Sequence, residues 1–264
     1  MTSTTEQHKN NAPKQRLKTI AARFLALIFW LAVWQAASYF IGYDILLPSP
    51  VKVLKRLFEL LFLKDFWGSV LFSAVRVLSG FFFAVAAASL LAVLSGWSRY
   101  ISFFVSPLMS VMKSVPLASF VVLVLIWLDS AHLSAFIAFI MVLPIMYINI
   151  MTGISCCDEK LLEMSKVFKV KCLNKFLYIY IPEAYPYFRS GCSVSLGLCW
   201  KAGIAAELIG MADNSIGEWF YFSKIYFLTA DLLAWTVVVV VLSVFFEKVI
   251  VKVFDLLFTL YGRS

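Results

Sequence analysis

The stretch Ser155–Pro182, SCCDEKLLEMSKVFKVKCLNKFLYIYIP, is polar, basic and amphipathic, and it lies between two long apolar runs. Leu161, Met164 and Phe168 recur at helical spacing, and Leu173, Phe176, Leu177 and Tyr180 repeat it at i, i+3, i+4, i+7. Ser155 followed by Asp158 reads as an N-terminal capping signal. Lys166, Lys169, Lys171 and Lys175 decorate the same region, and Pro182 is expected to end it. The pattern predicts two short helices joined by a turn. Such a pair is either a solvated interfacial element or a docking surface for a partner, and the pattern alone leaves both open.

The sequence around this island belongs to a membrane. Of the 264 residues, 62% are hydrophobic and only 14% are charged, against about 45–50% and about 25% in soluble domains. A water-soluble globule has no interior large enough to hide that much apolar surface. The net charge of +8 does not point to nucleic acid, because the basic residues sit between and beside apolar spans instead of forming one patch. The five cysteines, Cys156, Cys157, Cys172, Cys192 and Cys199, lack metal-like spacing and read as reduced thiols.

Six spans are expected. The first, Phe24 to Ile41, follows the basic tail of residues 1–19, and no small-residue cleavage site comes after it, so it reads as a retained helix and not a signal peptide. After the LLPSP break at Leu46–Pro50, the positions Val51, Leu54, Leu57, Phe58 and Leu61 form an apolar stripe opposite Lys52, Lys55, Arg56 and Glu59, which predicts a surface helix on the outer side. The second span covers about Val70 to Leu94, with Arg76 near its outer end, where its long side chain can snorkel. Pro107, Lys113 and Pro116 interrupt the next run, so a surface or partly embedded segment is expected up to Lys113 and a third span from Pro116 to Leu128. The fourth span is Leu133 to Ile154 with a kink at Pro144; His132 before it reads as a solvated loop residue.

The fifth run, Tyr187 to Ile209, is the least hydrophobic. It carries Arg189, Lys201 and Glu207 among serines and small residues, including Ser193, Gly203 and Ala206. Charges at membrane depth cost a few kcal/mol, so this helix should face protein or a water-filled path, and its small residues permit close helix contact. Lys201 and Glu207 are six residues apart, about 240° around a helix, and are not expected to pair. Ser193, Trp200, Lys201, Gly203 and Glu207 are therefore candidate pathway residues, with Lys201 either helping an anionic solute or contacting a neighbouring helix. The sixth span is Leu232 to Phe246, after an outer segment holding Asp213, Glu218 and Asp231. With both termini and the island placed in the cytosol, sixteen of the 23 basic residues fall inside, six outside and Lys201 within the membrane. The positive-inside rule favours this orientation.

Glu163-Met164-Ser165, followed after thirteen residues by Ile179-Tyr180-Ile181-Pro182, resembles the EAA signature of binding-protein-dependent ABC importer permeases, E-A-A, three residues, G, nine residues, I-x-L-P. Met164 replaces an alanine and Lys169 stands where the family has glycine, so the turn is either strained or differently built. Leu46–Pro50, Ser73–Phe81, Pro107-Leu108 with Lys113–Pro116, Trp200 through Glu207-Leu208, and Ser215–Gly217 with Ala234–Thr236 look like the nitrate, sulfonate and taurine branch of these permeases.

The resemblance implies an all-α integral membrane protein of the type I importer permease kind. It would have a permease domain over residues 20–254, cytosolic coupling helices in the loop 155–182, and a cytosolic tail over 255–264. It implies a homodimer, a pair of ABC ATPase subunits and an extracytoplasmic solute-binding protein, in a bacterial-type inner membrane. Glu163, Met164, Ser165, Phe168, Lys169, Ile179, Ile181 and Pro182 would make the ATPase contact. The chain has no Gly-rich phosphate loop, so it is expected to be non-catalytic and to bind neither cofactor nor metal, with ATP and Mg on the partner. Two other classes compete: a secondary transporter, which would need paired repeats, and a membrane enzyme, which would need clustered catalytic groups where only His8 and His132 occur.

Overall fold

The structure, a computed structural model, describes residues 4–261, with side chains described for residue 22 and from residue 24 onward. Lys9, Lys14, Arg16, Lys18 and Arg23, expected to set the orientation of the N-terminal end, have side chains outside the described residues, and Arg263 lies outside them altogether. The described residues form eleven α-helices and no strand: α1 (Thr4–Ile41), α2 (Pro50–Leu61), α3 (Lys64–Trp97), α4 (Arg99–Ser114), α5 (Leu117–Val124), α6 (Ser130–Ser155), α7 (Glu159–Val167), α8 (Cys172–Lys175), α9 (Ile181–Gly210), α10 (Ile216–Ile225) and α11 (Thr229–Tyr261). A π-turn, Phe176–Tyr180, joins α8 to α9.

Two compact units divide the chain, the first comprising the residues up to Leu60 together with Ser223–Ala234. In it, the irregular segment after α1 has carbonyls with no helical partner, and side chains meet that need. Ser38 Oγ donates to Leu47 O (2.9 Å), Trp34 Nε1 to Pro48 O (3.2 Å) and Thr229 Oγ1 to Ile45 O (2.5 Å). Pro50 opens α2, where its missing N–H costs nothing. The apolar stripe expected on a surface helix and the face that packs on the protein are different sides of α2. Pro50, Val53 and Leu60 are buried, whereas Val51, Leu54 and Phe58 are exposed. The cause is Arg56, whose Nε and Nη2 reach the carboxylate oxygens of Asp231 at 2.6 and 2.9 Å. Asp231 is only 8% exposed at its side chain, and this fork sets the helix rotation that brings Val53 and Leu60, three before and four after Arg56, inward.

The second unit comprises Leu61–Phe222 and Trp235–Ser264. Here α6 packs along both α3 and α9. The approach of α3 is close enough to need glycine: a Cβ on Gly80 would lie 2.1 Å from the carbonyl oxygen of Ala135. Val121, Val124, Leu133, Ile137, Ala202 and Ala206 form an apolar core among α5, α6 and α9. Phe66 stacks on Trp235, which stacks in turn on Trp219.

Among the described residues, four helical stretches are long and apolar enough to cross a membrane: Phe24–Ile41, Lys64–Trp97, Ser130–Ser155 and Cys172–Gly210. The pair α4 and α5, bent by 102°, makes a fifth if it is counted as one span. The sixth expected span, Leu232 to Phe246, lies within α11, 33 residues long. The expected break before Pro116 is present, but the expected third span from Pro116 to Leu128 is corrected in length. Proline pushes the residue before it out of the helical region, and Val115 is extended (ψ 128°), so the chain turns there. The eight residues of α5 then rise only about 12 Å, well short of a bilayer core of about 30 Å. His132 is exposed as expected but sits in the first turn of α6 and not in a loop, and α6 runs on through Pro144.

Candidate coupling and pathway sites

The island folds as α7, a turn and α8. The N-cap of α7 is Asp158, whose Oδ1 accepts the N–H of Lys160 at 2.9 Å; Ser155, expected to cap, is the last residue of α6. The helix ends in a Schellman turn. The N–H of Val170 bonds to Ser165 O (2.9 Å) and the N–H of Lys169 to Lys166 O (3.1 Å), with Lys169 left-handed at φ +50°. The backbone of the turn is therefore the one that suits glycine, built here with lysine and strained by that choice.

Pro182 does not end the second helix. The chain passes from α8 through the π-turn into α9, where Ile181 N–H bonds five residues back to Phe176 O. Widening that turn accommodates a residue that lacks an N–H and whose ring would crowd the preceding carbonyl.

Of the expected coupling residues, Glu163, Met164, Phe168 and Lys169 are exposed. Ser165 and Ile179 are buried, and Ile181 and Pro182 are half-buried. Ser165 turns its hydroxyl to Leu162 O at 2.7 Å. The Met164 and Phe168 stripe thus faces outward, and the inner side of α7 is carried by Ser165 with the half-buried Leu161 and Leu162.

The expected pathway residues are distributed over different environments on α9. Glu207 is fully buried. Its Oε2 accepts from Ser73 Oγ (2.7 Å) and from Gly217 N–H (3.3 Å), and Ser73 Oγ in turn accepts Ile216 N–H (2.9 Å). This carboxyl ties α3, α9 and the start of α10 together, and its Oε1 is buried without a hydrogen bond. Gly217 must be glycine there, since a Cβ would come 2.3 Å from Glu207 Cβ and 2.5 Å from its backbone carbon. Trp200 is fully buried and stacks on Phe246, with ring centroids 5.5 Å apart. Gly203 is buried against Val77. Ser193 is half-buried and donates to Glu247 Oε1. Only Lys201 is exposed, on the side of α9 that also presents Val194 and the open face of Gly197.

Composition and spacing did not single out two groups. Ser73 lies inside a long apolar run, where one hydroxyl carries no signal of its partner. Asp255 accepts from Tyr185 Oη (2.7 Å) and Arg189 Nε (2.8 Å), tying α11 to the start of α9. The Arg189 guanidinium, with Tyr185 second, holds the Asp255 carboxyl below the usual carboxylate range. Arg76 lies over the Phe72 ring at 4.3 Å, with its Nη1 buried and unpartnered.

The chain is 28% identical over 213 residues to the nitrate import permease protein NrtB of Synechococcus elongatus, covering 76% of each chain. It is 26% identical over 190 residues to the putative aliphatic sulfonates transport permease protein SsuC of Bacillus subtilis, covering 70% of this chain and 67% of that one. Among solved structures, the crystal structure of an amino acid ABC transporter with histidines superposes with a TM-score of 0.58 at 15% identity, over 72% of this chain and 92% of the other, which shows a shared fold. Residues 80–260, well over half the chain, match the family described as binding-protein-dependent transport system inner membrane component, and the protein belongs to that family of ABC importer permeases.

Proposed function

We propose that this chain is the permease of an ATP-driven importer for a small oxyanion of the nitrate or sulfonate kind, delivered by an extracytoplasmic binding protein. Two copies form the translocation path, and two ATPase subunits engage the loop 155–182 on the cytosolic side. The chain itself does no catalysis; ATP and Mg reside on the ATPase.

The observation that carries this reading is the continuity of the helical path from the exposed island into the interior. A push on α8 passes through the π-turn directly into α9, and α9 holds the buried Glu207 node. A bistable helix bundle driven at one end is what alternating access requires. Nitrate and sulfonate relatives support an anionic solute, and the exposed Lys201 supplies a cation on the open side of α9.

The test is uptake of labelled nitrate and of an alkanesulfonate into proteoliposomes holding the permease, its ATPase and its binding protein. Uptake of one of them should require ATP and should fall at least tenfold in Lys201→Met with assembly intact. Wild-type uptake by that variant would remove Lys201 from the path. ATPase binding unchanged by both Glu163→Ala and deletion of the island would refute the coupling role.

A further inference from the structure

From Ser165 to Pro182 the chain carries four lysines and no acidic residue. Lys175 lies over the Tyr180 ring at 5.6 Å. Lys166, Lys169 and Lys171 are exposed, and none of them makes an ion pair among the described residues. Between them stand Val167, 77% exposed, and Phe168, 74% exposed, with Leu173 at 68%. Exposed aromatic and aliphatic side chains outside the spans mark a contact surface.

Seating Phe168 and Val167 in an apolar groove would strip water from the neighbouring ammonium groups, and an unpaired desolvated charge is costly. A groove that accepts this tip must meet the lysines with carboxylates at its rim. The left-handed turn is strained by its side chain, yet a lysine stands at its apex, where it adds a third cation to the tip. We infer that the occupant of this surface is a protein groove with an apolar floor and an acidic rim, in which carboxylates pair with Lys166, Lys169 and Lys171. The inference rests on the coupling reading above and gives that partner its chemistry: an ATPase whose docking groove is acidic where it faces Lys169.

The experiment uses the full complex. The ABC ATPase that co-purifies with the tagged full-length chain from its own host is treated with a zero-length carbodiimide, which joins only lysines and carboxylates in direct contact, and the peptides are sequenced by mass spectrometry. Links from Lys166, Lys169 or Lys171 to ATPase Asp or Glu residues are expected. Recovery of the complex at low salt should fall at least tenfold in Lys169→Glu and about two- to fivefold in Lys169→Gly, with both differences lost near 1 M salt, where the screening length is about 3 Å. An ATPase that co-purifies without such links, and equally well with Lys169→Glu, overturns the acidic rim alone. Failure of any ATPase to co-purify overturns the coupling reading and this inference with it. Equal protection of the three lysines from acetylation by anionic-lipid nanodiscs without ATPase would assign the surface to the membrane and overturn the acidic groove.

Discussion

Replacing Lys169 with glycine should tighten the turn after α7. Lys169 holds φ +50° while its N–H and that of Val170 close the Schellman bonds of 3.1 and 2.9 Å to Lys166 O and Ser165 O. A left-handed conformation costs a residue with a Cβ about 1–2 kcal/mol. Glycine removes that cost but has more freedom to lose when the turn closes, about 0.5–1 kcal/mol. The net gain is about 0.5–1 kcal/mol, a factor of about 2–5 in the closing equilibrium. Amide hydrogen exchange of the isolated permease in detergent reads this locally, because the Val170 N–H is protected by the 6→1 bond. Exchange at Val170 should slow by that factor in Lys169→Gly. In Lys169→Val, whose branched side chain tolerates φ > 0 poorly, it should quicken severalfold. Faster exchange in the glycine variant, or no change in either, would show that the turn is not held left-handed and that the strain assigned to Lys169 is wrong.

Gly80→Ala should separate α3 from α6, since its Cβ would stand 2.1 Å from the Ala135 carbonyl oxygen; a loss of about 1–3 kcal/mol or more is expected as a lower temperature for loss of monodisperse protein in detergent, and unchanged melting would refute the contact. Glu207→Ala should cost about 2–4 kcal/mol by leaving the buried Ser73 hydroxyl and Gly217 N–H unmatched, whereas Glu207→Gln keeps an acceptor oxygen and should lose less than half of that; equal melting of the two variants would sink the node. Arg56→Ala strips Asp231 of both its bonds to the guanidinium and should cost about 1–2 kcal/mol, which a denaturant titration of the purified protein measures. The Asp255 carboxyl is held below its usual range in the folded protein, so its link to Arg189 and Tyr185 contributes fully above the ordinary carboxylate pKa of about 4 and is lost as pH falls through the lower folded value. The stability difference between wild type and Asp255→Asn should therefore be present at neutral pH and shrink on acidification, and a difference independent of pH would rule out the charge of Asp255 as its source.

The parts of the site legible before folding were those with a local or periodic cause. The stretch from Glu163 to Pro182 folds as α7, a turn, α8, the π-turn and the start of α9, and its two short helices and the turn between them were legible because a turn and its flanking helices are written within a few residues of each other. Spacing alone did not decide which side of α7 is covered: Met164 and Phe168, expected at a partner contact, are exposed, while Ser165 with the half-buried Leu161 and Leu162 faces inward, and only the surrounding helices set that rotation. In α2 the side that packs on the protein is likewise marked by a distant partner, Asp231, 175 residues from Arg56, which the sequence does not show.

The sequence by itself determined that this is a helical membrane protein, where most of its apolar helices run, and the family to which its signatures point, because hydrophobic content, run length and motif spacing are properties of neighbouring residues. Tertiary structure decided the 102° bend between α4 and α5, the π-turn that carries the chain past Pro182, and the burial of Glu207 against Ser73, 134 residues away in sequence. A carboxyl on an apolar helix reads the same whether it meets solute, lipid or a serine from a distant helix. Its chemistry is set by whatever the fold brings within about 3 Å of it.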